Sequence, residues 1–340
     1  MLRALEAFLL DQWDTLALTL ARPPRLSFVL MDDSDYERGA IGVLAFCEGV
    51  RRPVLFAKVA RDPEHDEHVG RQFEVLTALR ERGDTWVRNA LARPLFLRRI
   101  QGELVMAESA FLGPLMVDEM CHWRRGGFRR GVVADHFRAM VGWLVRLSRA
   151  TGVRRPLTRE DLDTHVFSHL RAVYREGDWP SAVAQFRARL EALVGRTVLM
   201  VPVHNDLNPK NIILEERAPP RVVDWEVASL EGLPFLDLFY FTTWYVFRHR
   251  RVRPRDERRR FHYAYWKCGW YVELVNRAAT DYATALGLET ELAEALFPLH
   301  LLERAGRDAR RGRAKQSLLR RAHFEKALAR SVRGGSNLWA

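Results

Sequence analysis

Three short runs rich in apolar and β-branched residues stand close together near the start of the chain: RLSFVLMD (25–32), AIGVLAFCEG (40–49) and PVLFAKVA (53–60), separated by turn-rich DDSDYERG and EGVRRP. They predict a small antiparallel sheet. Ahead of them, MLRALEAFLLDQWDTLAL (1–18) interrupts its apolar residues with Glu6, Asp11 and Asp14 and lacks a small-residue cleavage site, so it reads as an amphipathic helix and not as a signal peptide. After the sheet, Val69, Phe73, Leu76 and Leu79 recur at helical spacing up to Gly83, and two further apolar runs follow, ARPLFLRR (92–99) and GELVMAES (102–109). Beyond Gly113-Pro114 the pattern turns helical, over about 132–150, 160–175, 181–194, 235–247, 257–276, 289–304 and 314–332. No internal repeat or low-complexity linker appears, and the change of pattern near 107–113 marks the expected boundary between two parts of the chain.

One stretch breaks the helical pattern. The β-run TVLMVPV (197–203) leads into His204-Asn205-Asp206-Leu207-Asn208-Pro209-Lys210-Asn211, then into two short β-runs, Ile212–Leu214 and Arg221–Val223, the second ending in Asp224-Trp225-Glu226. Strand, Asp-bearing loop, strand, turn and strand would bring Asp206, Asn211 and Asp224 close together. These groups suit phosphoryl transfer from a nucleotide, which needs oxygen ligands to hold Mg2+ across the β- and γ-phosphates and a carboxylate to orient the attacking hydroxyl and accept its proton.

His204, Asp206 and Asn211 spell H-x-D-x-x-x-x-N, and Asp224 follows Asn211 by 13 residues. With its HND opening, its D-W-E ending and the following GLPFLDLFYF (232–241), the stretch resembles the aminoglycoside phosphotransferase and choline kinase family of small-molecule kinases; the clear motifs cover 201–240. The resemblance implies an α+β, two-lobed protein-kinase-like fold. A small antiparallel-sheet amino lobe (1–107) would cover the nucleotide, and a mainly helical carboxy lobe (108–340) would carry the catalytic loop (201–226) and substrate-binding helices (235–340). It implies ATP or GTP as phosphate donor, Mg2+, and a small-molecule hydroxyl as acceptor. Asp206 becomes the catalytic base or hydroxyl-orienting group, Asn211 and Asp224 the metal ligands, and His204 a structural support of the loop. Asp237 either holds that loop from beneath or simply caps its helix. Lys58 resembles the strand lysine that grips the α- and β-phosphates, with Glu74 on the following helix as its partner and Glu67 as the fallback. Val105–Ala110 would be the hinge that meets the nucleotide base. The phosphate-covering turn departs from the family of glycine-rich loops, having only Gly39 and Gly42, with Ser34 as a potential phosphate donor. Lys210 departs as well, since Asn208 occupies the place of the protein-kinase loop lysine.

Composition narrows the partners. Apolar residues make up 48% and charged residues 29%, as in ordinary globular proteins, which argues against disorder, and no run is apolar enough to span a bilayer. Three widely spaced cysteines offer neither a disulfide framework nor a zinc site, and a cytoplasmic location is expected. The net charge of +11 lies entirely in the last 97 residues, which hold 21 Lys and Arg against 10 Asp and Glu. Two runs dominate, 248–260 and 307–321, and they read either as solvated helix faces in an arginine-rich chain or as a surface for anionic membrane. No nucleic-acid recognition motif is present and none is expected to bind. The same excess disfavours polycationic acceptors and favours a neutral or anionic, sugar-like one. Against that, Trp244, Tyr245, Trp266 and Trp270 could cage a choline-like cation or simply pack in a core. The alternatives to a sugar-like kinase are thus a choline or ethanolamine kinase-like enzyme, and a non-catalytic kinase-like protein that binds membrane or a partner. The oligomeric state is not legible.

Overall fold

The computed structural model describes all residues except 19, 22, 32–38, 122–129, 176–178, 216–217, 249–256, 268 and 333–340, and describes only the backbone of 121, 290–291 and 330–332. Ser34 with most of the expected phosphate turn, and most of the basic run 248–260, therefore lie outside the described residues. By its internal contacts the chain divides into two compact units, Met1–Pro114 with Asn211–Ala228, and Leu115–Lys210 with Ser229–Ala340.

The first unit is built on a five-stranded antiparallel sheet, β1 (Leu26–Met31), β2 (Ala40–Cys47), β3 (Pro53–Ala60), β4 (Pro94–Ile100) and β5 (Glu103–Glu108), in the order β1-β2-β3-β5-β4. Alternation along β3 buries Leu55, Ala57 and Val59 in one core with Val43, Ala45, Val105 and Ala107. The amphipathic helix α1 (Leu2–Asp11) contributes Leu5, Leu9 and the following Trp13 to that same core, so the opening residues are part of this unit. Helix α2 (Asp66–Arg82) turns Val69, Gln72, Val75, Leu76 and Leu79 inward. A short helix that the apolar pattern does not predict, α3 (Thr85–Ala90), is capped by Asp84, whose Oδ1 accepts from the Val87 N–H at 2.9 Å. Strands β4 and β5 are joined by Gln101 and Gly102, both at positive φ, the two-residue turn whose twist matches a hairpin.

The short hairpin β8 (Ile212–Ile213) and β9 (Arg221–Val222) belongs to this unit although it comes late in the chain. Leu214 N–H donates to the Pro114 carbonyl at 2.9 Å, and the Arg221 guanidinium lies 5.0 Å from the Phe111 ring centre and donates to the Asn89 carbonyl. Gly113 permits the approach, since a Cβ there would stand 2.3 Å from the Leu214 carbonyl oxygen.

The second unit is mainly helical: α4 (Met116–Cys121), α5 (Arg130–Thr151), α6 (Arg159–Leu162), α7 (Ser168–Val173), α8 (Ser181–Glu191), α9 (Leu236–Arg248), α10 (Glu257–Trp266), α11 (Gly269–Leu286), α12 (Thr290–Arg310) and α13 (Ala314–Val332). The helix expected over 160–175 is α6 and α7 joined by a π-turn at Asp163–Phe167, and the one expected over 257–276 is two helices, broken after Trp266. Strands β6 (Val153–Pro156), β7 (Thr197–Val203) and β10 (Ser229–Gly232) form a small antiparallel sheet in the order β10-β7-β6. Among the described residues no helix is long and apolar enough to cross a membrane.

Candidate active site

In the first unit the chemistry gathers around Lys58. Because neighbouring Ala57 and Val59 face the core, Lys58 projects from the opposite face of β3. Its Nζ donates to Gln72 Oε1 at 2.8 Å, to Glu226 Oε2 at 3.0 Å and to Asp224 Oδ1. Burial alone would depress the ammonium, but the Asp224 and Glu226 carboxylates overcome it and hold the group well above its ordinary range, so it stays charged. Asp224 itself sits at φ 72°, a left-handed conformation that Asp tolerates better than most residues. The Asn211 carbonyl accepts from the Val223 N–H at 3.0 Å, which fixes Asn211 against the residue that precedes Asp224.

Glu74 does not pair with Lys58. It lies on the exposed face of α2, as does Glu67, while Gln72 shares the buried stripe with Val69, Val75 and Leu76. Two residues along a helix correspond to a rotation of about 200°, so Gln72 and Glu74 point to opposite sides. The acidic partner behind Gln72 is instead Glu108, at the end of β5, whose Oε2 accepts from Gln72 Nε2 at 2.9 Å. The hinge expectation shifts for a related reason: Val105–Glu108 is strand, paired with both β3 and β4, and the Ser109 N–H is taken by the Arg93 carbonyl at 2.9 Å.

Glu108 makes this unit pH-dependent. Its carboxyl is pushed up to about 7, first by burial and further by the Asp224 charge, against the Gln72 hydrogen bond and the Lys58 charge. From its ordinary 4.5 up to about 7 the unfolded chain gives up a proton that the folded chain keeps, so stability falls as pH rises through that window and stays lowered above it. Glu108→Gln keeps the acceptor for Gln72 and removes the titration. It is expected to gain on the wild type as pH rises, by on the order of 2 kcal/mol at pH 8, and to match it near pH 4.5. Urea midpoints at the two pH values check this, and parallel midpoints would show that Glu108 ionises as an ordinary carboxyl.

In the second unit the buried strand β7 delivers His204, fully buried, and the loop after it. Asp237, in the first turn of α9, accepts the His204 N–H at 2.6 Å and the Asn205 N–H at 3.0 Å. It therefore grips the loop from its buried side and does not serve only its own helix. Burial, partly offset by His204 and these two N–H groups, pushes its carboxyl up to about 6. Asn205 takes φ 63°, and the loop then closes on itself: the Asp206 N–H donates to His204 Nδ1 at 3.2 Å, Asn208 Nδ2 to Asp206 Oδ2 at 3.2 Å, and the Lys210 N–H to Asn208 Oδ1 at 2.9 Å.

Two residues that the motif reading missed complete the setting of Asp206. Tyr240 donates its hydroxyl to Asp206 Oδ1, and Arg304 Nη1 stands 3.2 Å from that hydroxyl and 3.5 Å from Asp206 Oδ1. Burial, and then the Asp206 charge, hold the Tyr240 phenol well above its ordinary range, so it remains a donor. Tyr240 carried a usable signal, since it lies one helical turn beyond Asp237 and so faces the same loop. Arg304, 98 residues from Asp206, carried none.

Residues 46–271 match the profile of the phosphotransferase enzyme family, two thirds of the chain. The chain belongs to this family. It is a small-molecule kinase with a protein-kinase-like fold, and the matched residues include Lys58, Asp206, Asn211, Asp224, Asp237 and Tyr240. Among solved structures, a glucosamine kinase in complex with glucosamine, ADP and inorganic phosphate is similar in fold, at 18% identity over 90% of this chain and 83% of that chain, with a TM-score of 0.54. The choline kinase LicA from Streptococcus pneumoniae is similar at 13% identity over 96% of this chain and 99% of that chain, with a TM-score of 0.52. No curated protein matches the chain.

Proposed function

We propose that this phosphotransferase moves the γ-phosphate of ATP or GTP, with Mg2+, to a hydroxyl of a small neutral or anionic, sugar-like molecule. The observation that carries the reading is the contact of Lys58 with Asp224: the one lysine among the first 209 residues meets the strand-end carboxylate that follows the HND motif. In this reading Lys58 takes the α- and β-phosphates, and Asp206 orients the acceptor hydroxyl and receives its proton. Beside Lys58 stands the Asp224 carboxylate, and the Asn211 backbone is fixed against Val223, next to it in the chain; a carboxylate and the Asn211 carboxamide are hard oxygen donors, the chemistry that fits a cation taking few protein ligands and sharing phosphate oxygens. Bound there, Mg2+ would neutralise charge on the β- and γ-phosphates. The ADP in the glucosamine kinase structure supports a nucleotide donor.

The aromatic residues that could cage a cation support the acceptor class. Tyr245 is buried, with its hydroxyl 2.8 Å from His136 Nδ1, and Trp244 has the guanidinium carbons of Arg304 and Arg320 at 5.4 and 5.0 Å from its ring centre. The Arg130 guanidinium lies 5.2 Å from the Trp270 ring. A choline-like ligand would meet cations already on the Trp244 and Trp270 faces.

The test is the thermal midpoint with ATP or GTP, each with and without Mg2+, for the wild type and Asp224→Asn. A nucleotide at 100 times its dissociation constant should add about 2.7 kcal/mol, a shift of a few degrees. The wild type is expected to shift with the magnesium nucleotide and Asp224→Asn to lose the metal-dependent part. Equal shifts with and without metal in both proteins would overturn the assignment of Asp224.

A further inference from the structure

The basic run 307–321 is not one solvated stripe. Arg311 and Lys315 are exposed, whereas Arg320 is buried and Arg307 nearly so, with side chains 6% and 13% exposed. Together with Arg304 they surround the aromatic pair next to Asp206. The Arg307 guanidinium lies 5.9 Å from the Tyr240 ring centre, and Arg320 lies against both Trp244 and Phe247. One edge of each arginine is anchored by a carboxylate: Arg304 by Asp308 at 3.6 Å, Arg307 by Glu303 at 3.1 Å, and Arg320 by Glu257 at 2.6 Å. Beyond those anchors, Arg307 Nε and both Nε and Nη1 of Arg320 are buried without a hydrogen-bond acceptor among the described residues.

Buried guanidinium donors left without acceptors are costly, and like charges crowded on one indole add to the cost. An oxyanion would relieve both. Phosphoryl suits it best because its oxygens offer acceptors on several sides to arginines arriving from α12 and α13, where a single carboxylate plane would not. The cluster reaches Asp206 through Tyr240 and Arg304, so an anion held there would stand beside the place that the proposed function gives the acceptor hydroxyl. None of the three arginines falls within the residues matched by the family, 46–271.

We propose that Arg304, Arg307 and Arg320 form a binding subsite for a phosphoryl group carried by the acceptor, which makes the substrate a phosphorylated hydroxyl compound. The proposal rests on the phosphotransferase reading above for the role of Asp206, and its test separates the two. The probe is inorganic phosphate, titrated calorimetrically into the full chain with and without a saturating magnesium complex of a non-hydrolysable ATP analogue.

Phosphate is expected to bind in both conditions. Its affinity should fall about tenfold or more in Arg307→Gln and in Arg320→Gln, and stay unchanged in Lys58→Met, while the arginine variants keep the wild-type affinity for the nucleotide. Arg307→Gln and Arg320→Gln make independent tests, and their unliganded thermal midpoints separate lost binding from lost folding. Should both variants unfold, Arg320→Lys, which keeps the charge, replaces them and is expected to weaken phosphate binding. Absence of phosphate binding, its loss in Lys58→Met alone, or its displacement by the nucleotide would overturn the proposal and leave the kinase reading standing. Arginine-dependent phosphate binding in a protein that ignores the magnesium nucleotide would do the reverse.

Discussion

Asp206→Asn is expected to lower turnover by about two to four orders of magnitude, the usual contribution of a positioned general base, while leaving nucleotide affinity within about threefold of the wild type. The substitution is chosen for what it preserves. Asn keeps an oxygen to accept from Tyr240 and from Arg304, and the backbone of residue 206, whose N–H is held by His204 and whose carbonyl accepts from the Asn208 N–H at 2.8 Å, is untouched. What disappears is the negative charge, the capacity to take a proton and the second oxygen, which accepts from Asn208 Nδ2. The measurement is ADP release with an accepted hydroxyl compound, or with water standing in for it, beside a nucleotide titration. Turnover within about threefold of the wild type would remove Asp206 from the proposed chemistry, and a parallel loss of nucleotide affinity would mark it as a structural member of the loop.

That loop was legible because its parts are close in sequence: a strand, a motif of eight residues and a second strand report one another. The sheet was legible for the same reason, since its β-rich runs are short and separated by turn residues. The partner of Lys58 was not. A count along α2 finds acids at 67 and 74, yet a polar residue on the buried stripe, Gln72, makes the contact, and the carboxylate behind it comes from β5. Reading helical phase before residue charge would have selected Gln72, because it falls between Val69 and Val75 on the face that packs. Chain order misleads in a second way. Asn211–Ala228 follows the catalytic motif without a break, yet its contacts lie with Met1–Pro114, through Pro114, Asn89 and Lys58. Arg304, Arg307 and Arg320 are hidden differently again: within a run of arginines, nothing local tells the buried members from the solvated ones.

Lys58→Met is expected to act on both stability and ligand binding, and the two effects can be separated. The ammonium is almost buried, at 11% side-chain exposure, and supplies the cation for Asp224 and Glu226 and a donor for Gln72. Removing it leaves two adjacent carboxylates and an amide oxygen without that partner, a loss of about 2–3 kcal/mol, less than for a fully buried pair because Asp224 and Glu226 keep about a third of their exposure. Since the folded chain holds this ammonium above its ordinary 10.5, the wild-type advantage is present throughout neutral pH and is lost only as pH rises beyond that value. Nucleotide affinity is expected to fall about tenfold to a hundredfold, the worth of one or two charge-assisted hydrogen bonds to phosphate. Lys58→Arg should restore part of the stability and little of the affinity, because a planar fork does not replace a compact ammonium between phosphate oxygens. Urea midpoints and nucleotide titrations on the three proteins decide it. A Lys58→Met protein that is less stable yet binds nucleotide as tightly as the wild type would make Lys58 a structural cation only, and the contact with Asp224 would then no longer carry the assignment of the site.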